Sequence, residues 1–121
     1  MNFRDVAKKA VKVSDLAEGK EKISTEEIID KYPEKITING FERCEMGNKV
    51  KFIYTLKEEP EKFAYAGLML EKCFNSIISA YGGDYIRAQK EFSLDKQGLP
   101  VKLEKKTTLD GNDITVVTIL D

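Results

Sequence analysis

The sequence predicts an α+β domain with a mainly β core, and three observations carry that prediction. Residues 63–83 (FAYAGLMLEKCFNSIISAYGG) set Leu70, Cys73, Phe74, Ile77, Ile78 and Tyr81 at spacings of three and four, the pattern of a helix with one apolar face. Period-two sequence stands on both sides of it, at 35–66 and 100–120. Gly82-Gly83 closes the helix, because glycine accepts the left-handed conformation that ends helices. A core helix packed on a β body is the expectation.

Composition bounds what such a domain does. With 121 residues and a net charge of −1, the chain is one domain and no strongly basic DNA-coating protein. A local basic patch stays compatible with that total, since the field depends on clustering. Histidine is absent, which removes Ser-His, Cys-His and His-metal arrangements. Cys44 and Cys73 fit neither a disulfide framework nor a zinc site, and Cys73 lies on the apolar helix face. The charged N-terminus is no signal peptide, and no run approaches the ~20 apolar residues that cross a bilayer, so a cytoplasmic protein is expected.

Taken in order, residues 2–13 read as a short, weakly amphipathic helix with Phe3, Val6, Ala7, Ala10 and Val11 beside Arg4, Lys8, Lys9 and Lys12. Ser24-Thr25-Glu26-Glu27 is a capping-box pattern for a second short helix, ended by Tyr32-Pro33. From Lys35 the period becomes two. Ile36 and Ile38 share a face, and Gly40 marks a bulge that leaves the facing of Phe41 open. After a turn at Met46-Gly47-Asn48, Val50, Phe52, Tyr54 and Leu56 alternate with Lys49, Lys51, Ile53, Thr55 and Lys57. Glu58-Glu59-Pro60-Glu61 is expected to turn, and Phe63–Ala66 to form a short strand leading into the helix. Asp84 can cap a further helix through Tyr85, Ile86, Ala88 and Gln89. Residues 101–106 and 114–120 form the closing hairpin across Asp110-Gly111. Val116, Val117, Ile119 and Leu120 put apolar side chains on both faces of the last strand. It is therefore expected to be covered on both sides and not to lie on an exposed edge.

Three strands, a helix and two strands is the order of the OB-fold, a five-stranded, partly open antiparallel barrel. Residues 1–34 then form an N-terminal helical extension and 35–121 the OB-like barrel of one compact unit. An open sheet with the helix laid across it is the alternative. With ITINGFERCEMGNKVKFIYTLKE at 36–58, KFAYAGLMLEKCF at 62–74 and VKLEKKTTLDGNDITVVTIL at 101–120, the chain resembles the small OB-fold single-stranded DNA-binding proteins of phages and mobile genetic elements. The resemblance covers residues 35–120, leaves out 1–34, and lacks the long acidic tail of many bacterial relatives.

What the resemblance implies is a lysine-lined groove that follows the phosphates, with aromatic rings on which bases stack. The ligand face of such a barrel is that of its second and third strands, with the loops joining strands one–two and four–five. Mapped onto this chain, Lys49, Lys51 and Lys57 form one run without acids, with Arg43 across the hairpin. Lys102, Lys105 and Lys106 oppose only Glu104, and Phe41 and Tyr65 are the stacking candidates, with Tyr54 behind them. The bland alternative for the lysines is the wet face of a strand; Tyr54 shares a face with Phe52 and fits the core better.

No catalytic residue, cofactor loop or metal set is expected. Gly82-Gly83-Asp84 lacks the lysine and the order of a P-loop, and Asp110–Asp113 lacks the spacing of a calcium loop. The expected partners are single-stranded nucleic acid and the replication or recombination proteins that handle it, with no membrane. Homo-oligomerisation is compatible with an open barrel. The competing class is a non-catalytic protein-interaction or assembly module of a phage or mobile element.

Overall fold

The computed structural model describes residues 16–120. In chain order it holds β1 (Glu21–Lys22), α1 (Thr25–Lys31), β2 (Ile36–Met46), β3 (Lys49–Leu56), β4 (Glu59–Tyr65), α2 (Leu68–Ala80), α3 (Tyr85–Leu94), β5 (Leu99–Thr107) and β6 (Asp113–Ile119). The helix expected over 2–13 lies outside the described residues. The strands make one curled, half-barrel sheet in the order β1-β4-β3-β2-β5-β6, with all three helices contributing to its core.

The architecture is α+β as expected, with a sixth strand that the sequence pattern does not reveal. β1 is only the pair Glu21-Lys22, lying parallel to β4 opposite Lys62 and Phe63. Ile23 and Ile28 are both buried in the core, so residues 21–31 are integral to the domain and not an extension of it. Among the described residues β4 does not pair with β6, and the sheet stays open.

β2 is the pivot. Its first residues pair with β5 (Ile36 opposite Val101, Ile38 opposite Leu99), and its remainder pairs with β3 from Gly40–Thr55 to Met46–Lys49. The register slips between Ile38 and Gly40, at the bulge that glycine suggested. A Cβ at Gly40 would sit 3.0 Å from the Thr55 Oγ1, and that hydroxyl donates to Asn39 Oδ1 at 2.6 Å. Beyond the bulge β5 has left, so the free edge of β2 needs another partner. The Gln89 side chain of α3 supplies it, accepting from the Arg43 N–H at 2.7 Å.

α2 packs the inner face through Leu70, Phe74 and Ile78, one residue per turn. Phe74 is the hub: its ring stacks on Phe41 at 4.6 Å and meets Phe52 at 5.7 Å and Tyr54 at 6.3 Å. After Tyr81, Gly82 and Gly83 take φ of +71° and +87°, and the Gly83 N–H returns to Ile78 O. Asp84 then caps α3 by accepting from the Arg87 N–H at 3.1 Å. Ser24 caps α1 in the same way through the Glu27 N–H.

Two boundaries differ from the sequence expectation. The 58–61 segment is no turn beyond Glu58, because β4 starts at Glu59 and carries Pro60 within it. β6 lies at the edge of the sheet, although its residues read as those of an interior strand.

Candidate nucleic-acid interface

Period-two alternation and strand register assign every candidate side chain to one of two faces. The inner face, towards the helices, carries Ile36, Ile38, Phe41, Phe52, Tyr54, Leu56, Ala64, Val101 and Leu103. The outer face is set by Lys51 opposite Cys44, Ile53 opposite Glu42 and Tyr65, and Thr55 opposite Gly40 and Phe63. Lys49, Lys51 and Tyr65 therefore share the outer face, and Lys57 follows in the same alternation. Lys102, Glu104 and Lys106, opposite Thr118, Val116 and Ile114, continue it on β5 and β6.

Three candidates fall on the other side. Phe41 is 2% exposed, its ring stacked on Phe74 and met edge-on by Phe92 at 5.1 Å. A base cannot reach it; the bulge at Asn39 turned it inward. Arg43, two residues on, holds Glu45 at 2.8 Å and lies 5.1 Å over the Tyr85 ring. Lys105 is held by Glu26 at 3.3 Å and Asp113 at 3.5 Å. The hydrogen bond to Glu26, then the charges of both acids, raise its pKa, so it is a satisfied cation and a poor phosphate ligand. Tyr54 is fully buried, as its alternation implied.

Lys49 and Lys51 are exposed and make no ion pair among the described residues. Half-buried Lys102 and exposed Lys106 also make no ion pair among the described residues, but these are a separate patch. Lys51 lies opposite Cys44 and Lys102 just beyond Ile36, so the two patches are up to ~30 Å apart along β2 at ~3.3 Å per residue. Lys57 is exposed, with its ammonium donating to the Lys96 carbonyl.

Two residues that the sequence alone did not single out join Tyr65. Phe63 packs edge-on against it at 5.9 Å, and the Lys22 ammonium lies 4.9 Å from its ring centre. Phe63-Ala64-Tyr65 could have shown the ring pair by its alternation; Lys22 arrives through the β1–β4 pairing, which has no local signal. Both rings are half-buried. Between them and the lysines, Ile53 and Cys44 are buried on the outer face, and the Leu16 side chain lies against Gly40. The candidate interface is thus a rim of cations and two rings around a closed centre, on an outward-turned face and not in the groove expected.

Elsewhere charge is balanced. A cleft between Glu18–Glu21 and Pro60–Lys62 is lined by Lys20 and Lys62 together with Glu18, Glu21 and Glu61, a mixture that suits no polyanion. Glu59 accepts from the Tyr32 hydroxyl at 3.0 Å, and that bond is the main reason its pKa is lowered. Among the described residues no three acid or cysteine side chains converge as a metal site would require. No helix among them is long and apolar enough to cross a membrane. No known protein family, curated protein or solved structure matches this chain.

Proposed function

We propose that this protein binds single-stranded nucleic acid, as the single-stranded DNA-binding proteins of phages and mobile elements do, through an OB-like half-barrel. The observation that carries the proposal is the coincidence of exposed Lys49 and Lys51 with the half-buried Phe63–Tyr65 ring pair and Lys22 on one face of β1, β3 and β4. A central β2 paired to both β3 and β5 is also the connectivity of an OB barrel, left open here where that barrel would close. Lysines neutralise phosphates, and each exposed ring offers a base a stacking surface. The ligand set is therefore Lys22, Lys49, Lys51, Phe63 and Tyr65, with Lys102 and Lys106 as a second contact for longer strands.

Anisotropy of labelled oligo-dT at low and moderate salt tests this. Binding should weaken with salt, and Lys49→Glu/Lys51→Glu should flatten the log–log slope by at least ~1.4, at ~0.7 per phosphate contact. Tyr65→Ala should cost ~1–3 kcal/mol of affinity. Absence of binding at both salts would defeat the proposal.

A further inference from the structure

β6 is a strand of interior composition placed at an edge. It spans seven residues and pairs with β5 alone among the described residues. Edge strands are ordinarily protected by lysine, proline or a bulge. Residues 114–120 contain no charge and no proline, and the ladder to β5 runs unbroken from Val101–Ile119 to Thr107–Asp113. Val117 packs onto the core, yet Ile114 and Ile119 are 44% and 49% exposed.

The hydrogen-bonding groups that face outward can be named. The Leu120 N–H donates to Pro100 O at 2.9 Å, so the backbone groups of Thr118, Val116 and Ile114 also turn towards β5. Those of Thr115, Val117 and Ile119 turn away from it.

We propose that β6 pairs antiparallel with β6 of a second copy of this chain, about a two-fold axis through Val117. The three outward residues map onto themselves when the strand is reversed: Val117 meets the partner's Val117, and Thr115 meets the partner's Ile119. Those pairs exchange about six N–H···O bonds. On the outer face Ile114 then lies opposite the partner's Leu120, and Val116 opposite the partner's Thr118, so the exposed Ile114 gains an aliphatic neighbour. Residues 114–120, which make the seam, carry no charge in either copy and so meet without repulsion. The other edge of the sheet is the two-residue β1, too short to continue the ladder, so assembly stops at two copies.

The pairing is independent of nucleic-acid binding and is tested without any oligonucleotide. Sedimentation velocity of the full chain, up to about 100 μM, should give twice the chain mass of 13.7 kDa. Ile119→Pro removes an outward donor where an edge strand tolerates proline, and Ile114→Lys places a charge beside the seam. Both should sediment at 13.7 kDa with the circular dichroism of the wild type. Should Ile119→Pro unfold, Ile114→Lys decides alone. A wild-type chain that is monomeric throughout, or a dimer that survives Ile114→Lys, overturns the proposal.

Discussion

Removing the Tyr54 hydroxyl should stabilise this protein. The side chain is wholly buried between Phe74 and the sheet, and its hydroxyl has no hydrogen bond of ordinary geometry among the described residues. Leaving such a group unpaired costs ~1–3 kcal/mol relative to its hydrated state in the unfolded chain. Tyr54→Phe removes that cost and keeps the ring packing. The void left by one oxygen, of order 10–15 Å³, returns only ~0.3 kcal/mol of penalty. The expected net gain is about 1 kcal/mol, or ~3–6 °C in Tm for a domain of this size. pH supplies a second readout. Burial is the main reason the hydroxyl pKa is raised above its ordinary 10, with the neighbouring Thr25 side chain pulling the other way. Well below pH 10 the phenol is neutral in both states and adds no pH dependence. Above it the unfolded chain loses the proton first, so stability falls as pH rises. The Tm advantage of Tyr54→Phe should therefore widen between pH 9 and 11. A variant that melts below the wild type near neutral pH would show that the hydroxyl is bonded, and a double-mutant cycle with Thr25→Val would locate the partner; a gap that does not widen with pH would show that the hydroxyl is not buried.

Two further substitutions test how the strands are held. Gly98→Ala should destabilise by about 2 kcal/mol or more in urea unfolding, because φ is +69° and a Cβ would lie 2.7 Å from the Ile38 carbonyl oxygen. Gln89→Leu should cost about 1–2 kcal/mol and speed hydrogen exchange at the Arg43 amide, since it strips the acceptor from the edge of β2 that β5 has left.

Elements whose signal is local could be read from the sequence. The apolar stripe of α2, the alternation of β3, the Ser24 and Asp84 caps and the Gly111 hairpin each depend on residues within one turn or one strand. The outward facing of Lys49 and Lys51 followed from the same alternation. β1 was hidden because Glu21-Lys22 has no pattern of its own and exists by pairing with β4. Lys22 reached Tyr65 by that route, and Lys105 lost its freedom to Glu26, a residue far away in the chain. Charge density along a strand says nothing about which acids another element brings up.

The bulge at Asn39 decides more about the interface than any lysine does. Without it, the alternation that buries Ile36 and Ile38 would carry Gly40, Glu42 and Cys44 inward and turn Phe41 outward among the lysines. Burying Phe41 is worth up to ~3 kcal/mol, and turning the Glu42 carboxylate into the apolar core, away from the Leu16 N–H that it accepts from, would cost several. The slip is thus driven by the core, and Gly40 permits it by letting Thr55 approach. Its consequence is that β2 offers the outer face no aromatic ring. On the proposed reading, base stacking falls to Phe63 and Tyr65 on β4 and phosphate contact to Lys22 of β1 and Lys49 and Lys51 of β3, so a single strand would run along the β3–β4 side of the sheet and away from Glu42 of β2.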